Sequence, residues 1–317
     1  MSNHSIPVVD LNQYVNGSEA DKKNFVEALG KAFEDVGFVS VKNHGVAAEL
    51  IDEYYDLVKR FFELPTNVKK GYEKPELAGQ RGYTSFGKET AKGYDAPDLK
   101  EFWQLGQTVE GEDTVREIYP DNITVSELPA FTQKGVELYK SFENSGKHLL
   151  RAIAVHLNLP ENYFDAHIYN GNSILRAIHY PPITQEPKSA IRAEQHEDIN
   201  LITLLVGASA EGLQLLNKQN EWLDITAPEG CIVVNVGDML QRLTNNRLKS
   251  TTHRVVNPPK EKWHTSRYSI PFFLHPRSEM RLDCLASCVT AENPLAYEPI
   301  SAGEYLDERL MEIGLKK

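Results

Sequence analysis

The chain has 317 residues, 41% of them hydrophobic and 25% charged, ordinary proportions for a globular protein that exclude a collagen, a coiled coil or wholesale disorder. A formal net charge of −11 repels phosphate backbones and argues against nucleic acid as a partner. No run of about 18 apolar residues is present, so no helix is expected to span a membrane, and the start MSNHSIPVVD has no charged-then-apolar signal pattern, which gives a cytoplasmic expectation.

The first half has helical spacing. Ser18 with Asp21 reads as a capped helix start, followed by Phe25, Ala28, Leu29, Ala32, Phe33 and Val36 at helical intervals up to Gly37. Residues 38–41 read as a short strand that turns at Asn43-His44-Gly45. A second amphipathic helix carries Leu50, Ile51, Tyr54, Tyr55, Val58, Phe61 and Phe62 and stops before Pro65. Residues 66–125 are polar and irregular and read as loops. A third, long helix presents Val136, Tyr139, Phe142, Leu149, Ile153 and Leu157 and ends before Pro160.

From residue 172 the apolar period falls towards two. Strands are expected at 173–180, 200–206, 213–217, 222–226, 231–236, 239–244, 251–256 and 267–274, and a last helix at about 301–313. The fold class this implies is mainly β with flanking helices, the strands closing into a barrel or jelly roll. Two parts are expected to form one compact unit: a helical and loop-rich stretch, 1–125, and a long helix with the β core, 126–317. The sparse cysteines Cys231, Cys284 and Cys288 read as reduced thiols.

Only one histidine opens an H-x-D triplet, His196-Glu197-Asp198. On a strand, residues two apart share a face, so His196 and Asp198 would project together with Glu197 turned away. A third metal ligand must come from another strand, and His253, among the β-branched residues of Thr251-Thr252-His253-Arg254-Val255-Val256, is the best candidate. Two imidazoles and one carboxylate leave coordination positions open, which suits non-haem Fe(II) holding a cosubstrate and O2 together. A bare H-x-D also arises by chance, and taken alone it reads more readily as a surface pair or a satisfied core histidine.

A second constellation is Arg267-Tyr268-Ser269, whose guanidinium and hydroxyl share a strand face and form a carboxylate anchor if they point inward. Tyr180 would add another donor. Phe273 lies on the same strand face and is a candidate for the substrate pocket, as are Arg81, Tyr83, Phe86, Phe102 and Trp103 from the loop-rich region. Arg192, just upstream of the H-x-D, would meet an anionic substrate. For each aromatic, and for Arg192, a structural role is the plainer alternative.

At these residues the chain resembles the isopenicillin N synthase-like family of Fe(II)/2-oxoglutarate-dependent oxygenases. The likeness runs through Ile6 to Leu11, Phe33 to Val46, Phe61-Phe62-Glu63-Leu64-Pro65, Gly82-Tyr83, Asp98-Leu99-Lys100-Glu101 and Asn235-Val236-Gly237-Asp238, besides the H-x-D…H and R-x-S residues. The resemblance implies a double-stranded β-helix (jelly roll) with Fe(II) on His196, Asp198 and His253. It also implies that 2-oxoglutarate chelates the iron and sets its distal carboxylate on Arg267, Ser269 and Tyr180. The expected reaction couples oxidative decarboxylation of 2-oxoglutarate by O2 to hydroxylation, desaturation or ring closure of a small organic substrate. The chain departs from many plant members at Ile178, where they carry asparagine. Three alternatives remain open at this level: a family member that oxidises without 2-oxoglutarate, a non-catalytic metal-binding sensor, and a zinc isomerase or hydrolase. The substrate and the oligomeric state are not legible from these residues.

Overall fold

Side chains alternate along an extended segment, so a strand can offer one face to helices and the other to an interior cavity. The computed structural model describes residues 6–91, 93–206 and 211–312. The N-terminal stretch runs β1 (Val8–Asp10), α1 (Leu11–Val15), α2 (Glu19–Asp35), β2 (Phe38–Lys42), α3 (Ala48–Phe62), α4 (Thr66–Gly71), β3 (Gly82–Thr84) and β4 (Glu101–Gly106). The long α5 (Pro129–His156) and short α6 (Asp165–Ile168) follow. Then come β5 (Ile174–Tyr180), β6 (Ala193–His196), β7 (Ile202–Val206), β8 (Leu213–Leu216), β9 (Trp222–Asp224) and β10 (Cys231–Val236). The chain ends with α7 (Asp238–Leu243), β11 (His253–Val255), β12 (Arg267–Leu274) and α8 (Ala302–Glu312).

The strands form a jelly-roll core of two sheets. The larger has the order β1-β2-β10-β7-β12-β5-β4-β3 and the smaller the order β6-β11-β8-β9. Pairing is antiparallel throughout except between β1 and β2. Strands from the N-terminal stretch thus extend both edges of the sheet built by the C-terminal one.

The helices cover the outer face of the larger sheet. Phe272 of β12 stacks on Phe142 and meets Tyr139 edge-on, both from α5. Phe61 of α3 lies at the centre of an aromatic cluster, with its ring centroid 4.9 Å from Trp103 and 5.0 Å from Phe131. The α2 start has the expected box, Ser18 Oγ accepting from Asp21 N while the Asp21 carboxylate accepts from Ser18 N.

The structure differs from the sequence reading in several places, the short helices α1 and α6 among them. Residues 239–244, expected as a strand, lie mostly in helix α7. Met239, Leu240 and Leu243 are buried at helical spacing, Gly237 stands at the N-cap and Asp238 lies in the first turn. The loop-like stretch contains α4, β3 and β4; Glu101 to Gly106 are buried on both faces, which erases the alternation that marks a half-exposed strand. The short β6 falls outside the expected strands. The last helix ends at Glu312 among the described residues, and the expected final position, 313, lies outside them. Among the described residues no helix is long and apolar enough to cross a membrane.

Replacing Phe61 with alanine removes the hub of the aromatic cluster and should lower unfolding free energy by about 3–5 kcal/mol. Urea unfolding followed by fluorescence measures this, and a loss below about 1 kcal/mol would contradict the packing role assigned to the ring.

Candidate functional site

Two cross-strand pairs build the centre of the cavity. β6 and β11 are registered so that His196 faces His253, with ring centroids 4.5 Å apart. β7 and β10 are registered so that Thr203 faces Asn235. Asp198 lies just beyond the end of β6, not on the strand, and its carboxylate reaches between the pairs. Its Oδ2 accepts from Thr203 Oγ1 at 2.6 Å and from Asn235 Nδ2 at 2.8 Å. Its Oδ1 lies 3.8 Å from His196 Nε2 and 3.6 Å from His253 Nε2. One ligand atom from each of the three residues falls within 4.8 Å of the other two.

The ring tautomers follow from the backbone. His196 Nδ1 lies 2.6 Å from the Glu194 carbonyl and His253 Nδ1 lies 3.0 Å from the Thr251 carbonyl. A carbonyl only accepts, so each Nδ1 carries a proton and each Nε2, on the side of Asp198, is the nitrogen left for a metal ion. Burial and the adjacent His253 hold the His196 imidazole below its ordinary range, although its outer edge remains exposed at the mouth. Burial would raise the Asp198 carboxyl, but the two histidines and the bonds from Asn235 and Thr203 hold it below its usual range. Two imidazole Nε2 atoms and one locked carboxylate form a donor set suited to a divalent iron ion.

The same cavity, about 660 Å³ in volume, reaches Arg267, Ser269 and Tyr180. Arg267 pairs with Tyr180 across β12–β5, and Ser269 with Ile178, so all four share the cavity face. Arg267 is 1% exposed, with Cζ 5.0 Å from the Tyr180 ring centroid. A buried planar fork beside a hydroxyl suits a carboxylate. Phe273 and Ile178 also line the cavity.

Four other residues singled out in the sequence do not line it. Phe102 points to the cavity side of β4, but the Arg176 guanidinium covers it, Cζ 4.2 Å from the ring. Tyr83 faces the helices, where its hydroxyl donates to Glu101. Arg81 is buried against Gly106, its Nε and Nη1 donating to the carbonyls of Pro120 and Gln80. Arg192 is buried behind the Tyr180 ring. Of the two loop-region aromatics considered beside them, Trp103 is in the core and Phe86 is exposed.

A charged wall of the cavity has no counterpart in the sequence reading. Arg176 Nε donates to Gln104 Oε1 at 2.6 Å, and its Nη1 approaches Glu89 at 3.3 Å. Lys100 Nζ lies 2.6 Å from Glu89 and 2.7 Å from Asp98. Alternation divides the 98–101 motif between two faces. Asp98 and Lys100 turn to the cavity, while Glu101 turns outward to Lys69 and His179, each at 2.8 Å. A signal for Arg176 exists: it shares a strand face with Ile178 and Tyr180, as Arg267 does with Ser269 and Phe273.

Comparison with known proteins agrees with this geometry. Residues 6–127 match the model of the N-terminal region of the non-haem dioxygenase in morphine synthesis, and residues 171–276 match the 2OG-Fe(II) oxygenase superfamily. The 2-oxoglutarate-Fe(II) type oxidoreductase hxnY of Emericella nidulans is 31% identical over 306 residues, spanning 93% of this chain and 86% of its own. The crystal structure of a 2OG-Fe(II) oxygenase family protein from Caulobacter crescentus superposes with a TM-score of 0.87 at 45% identity, covering 97% of this chain and 99% of that one. A full-length Neurospora crassa protein, solved in complex with alpha-KG and thymine, superposes with a TM-score of 0.84 at 31% identity over 96% of each chain.

Burial pushes the Glu89 carboxyl up, but Lys100 and Arg176 hold it at about 2, below an ordinary value of about 4.5. A depressed folded-state value stabilises the fold above the unfolded value, and that contribution is lost as pH falls through the window between the two. Wild type should therefore resist urea better than Glu89→Gln above about pH 5, with the gap narrowing from about pH 4.5 downwards. A gap independent of pH would contradict the pairing.

Proposed function

The chain belongs to the 2OG-Fe(II) oxygenase superfamily and is a 2-oxoglutarate-dependent non-haem iron dioxygenase, and from that premise we propose that His196, Asp198 and His253 hold its iron. Arg267, Ser269 and Tyr180 take the distal carboxylate of 2-oxoglutarate. The observation that carries this reading is the convergence of the three donor atoms in the cavity that also exposes the Arg267 fork.

Bound iron and 2-oxoglutarate supply the oxidising chemistry, in which O2 decarboxylates the cosubstrate to succinate and CO2 and a C–H bond of a small organic substrate is hydroxylated, desaturated or closed into a ring. The protein's part is placement. The Glu194 and Thr251 carbonyls fix the tautomers that leave both Nε2 atoms as donors. Thr203 and Asn235 occupy Oδ2 of Asp198 and leave Oδ1 for the metal. Arg267, removed from water, favours an anionic partner and gives the cosubstrate one orientation. Arg176 and Phe273 line the space for the primary substrate. A cavity of about 660 Å³ suits a small molecule, and the Neurospora crassa protein with which this fold superposes was solved with thymine. The net charge of −11 favours no polyanion.

Replacing His253 with alanine should abolish iron-dependent succinate release. Replacing Arg267 with alanine should raise the KM for 2-oxoglutarate by about tenfold or more, since a charge-assisted bond contributes about 1.5–3 kcal/mol. Succinate release measured against 2-oxoglutarate concentration checks both. Wild-type kinetics in either variant would refute the role given to that residue.

A further inference from the structure

Two buried guanidinium groups flank the Tyr180 ring. Arg267 has its Cζ 5.0 Å from the ring centroid and Arg192 has its Cζ 6.0 Å away. Each residue is 1% exposed. Arg192 lies in the segment that leads into β6, four residues before His196. Its Nη2 donates to the carbonyl of Thr265 at 3.1 Å, two residues ahead of Arg267. The segment is pinned on both sides: Leu99 N donates to the Ile191 carbonyl and Glu194 N to Asp98 Oδ1, each at 3.0 Å. Arg192 is therefore held where it is.

Three other largely buried cations, Lys69, Lys100 and Arg176, have acids. Lys69 bonds Glu101, Lys100 bonds Glu89 and Asp98, and Arg176 approaches Glu89. Arg192 has none among the described residues. Its Nε is buried without a hydrogen-bond partner there. The neighbouring charge is Arg267, which opposes it; burial first and Arg267 second push its guanidinium down to about 10. Confining such a charge away from water beside a like one is unfavourable unless an anion comes to the pair. Arg192 does not line the cavity, so it acts on an anion through the field around Tyr180 and Arg267 and not by contact.

We propose that Arg192 is a positioning residue for the cosubstrate, adding positive potential where the distal carboxylate binds and so selecting a 2-oxo diacid over a 2-oxo monoacid. The proposal rests on the assignment of that carboxylate to Arg267. It also separates Arg192 from the primary substrate.

The test uses full-length protein loaded with Mn(II) in place of iron and titrated by calorimetry with 2-oxoglutarate and with 2-oxopentanoate, which has the same carbon count and no distal carboxylate. Arg192→Gln should weaken 2-oxoglutarate by about tenfold and leave 2-oxopentanoate within about twofold. Arg192→Lys, which keeps the charge, should retain the wild-type preference to within about threefold, and it decides the matter alone if the glutamine variant does not fold. Equal loss for both acids would make Arg192 a packing residue and overturn the proposal. An unchanged preference in Arg192→Gln, or a lost one in Arg192→Lys, would do the same. Arg267→Ala separates the two levels. If it abolishes the preference while Arg192→Gln does not, only this inference falls; if it leaves the preference intact, the carboxylate assignment falls and takes the inference with it.

Discussion

One buried carboxylate ties the two sheets to a common point. Asp198 accepts on Oδ2 from Thr203 and Asn235, cross-strand partners in the larger sheet. On Oδ1 it meets His196 and His253, cross-strand partners in the smaller one. A carboxylate so enclosed is tolerated because each oxygen has its own polar company. The register of β6 on β11 and that of β7 on β10 are thus coupled through one side chain. A slip of one residue in either would turn a donor away from the cavity. Two imidazoles and one carboxylate, with one ligand atom each within 4.8 Å of the others, form a donor set that suits a divalent cation.

The pleat then sorts the remaining charges. On β12, Arg267, Ser269 and Phe273 turn to the cavity, while Ile270, Phe272 and Leu274 join the core beneath the helices. On β5, Arg176, Ile178 and Tyr180 turn inward and His179 turns out to Glu101. Ionic groups therefore form two separate sets on opposite faces of one sheet. One, around Lys69, Glu101 and His179, braces the helix side. The other, Glu89, Lys100, Asp98 and Arg176, borders the cavity. Both are buried enough that losing one partner would leave an uncompensated charge, so the wall of the site is also part of what holds the strands in place.

Period and punctuation make much of this legible. The capped start of α2, the length of α5 and the strands β5, β10 and β12 follow from apolar spacing and turn residues. His196, Asp198 and His253 stand out as the one H-x-D triplet with a histidine on a second strand. Arg267 and Ser269 stand out because a charge at an alternate strand position must either face water or meet an anion. β4 escapes such a reading since it is buried on both faces and alternates nothing. Met239 to Leu243 mislead because a short apolar run fits either period until Gly237 and Asp238 are read as a helix start. Sequence proximity puts Arg81, Tyr83 and Arg192 near the pocket, but the face on which each lies depends on pairings that only the folded sheet supplies. Phe102 does lie on the right face, and the long side chain of Arg176 hides it.

The three donors must act together on a single metal ion for the rest to follow. Anaerobic titration of the protein with Fe(II) in the presence of 2-oxoglutarate, followed by the weak visible charge-transfer band of the iron–2-oxo acid chelate, tests this most directly. The band should appear only with both components, saturate at one iron per chain, and be absent from Asp198→Asn. A wild-type protein that gives no band, or an Asp198→Asn variant that titrates like wild type, would contradict it.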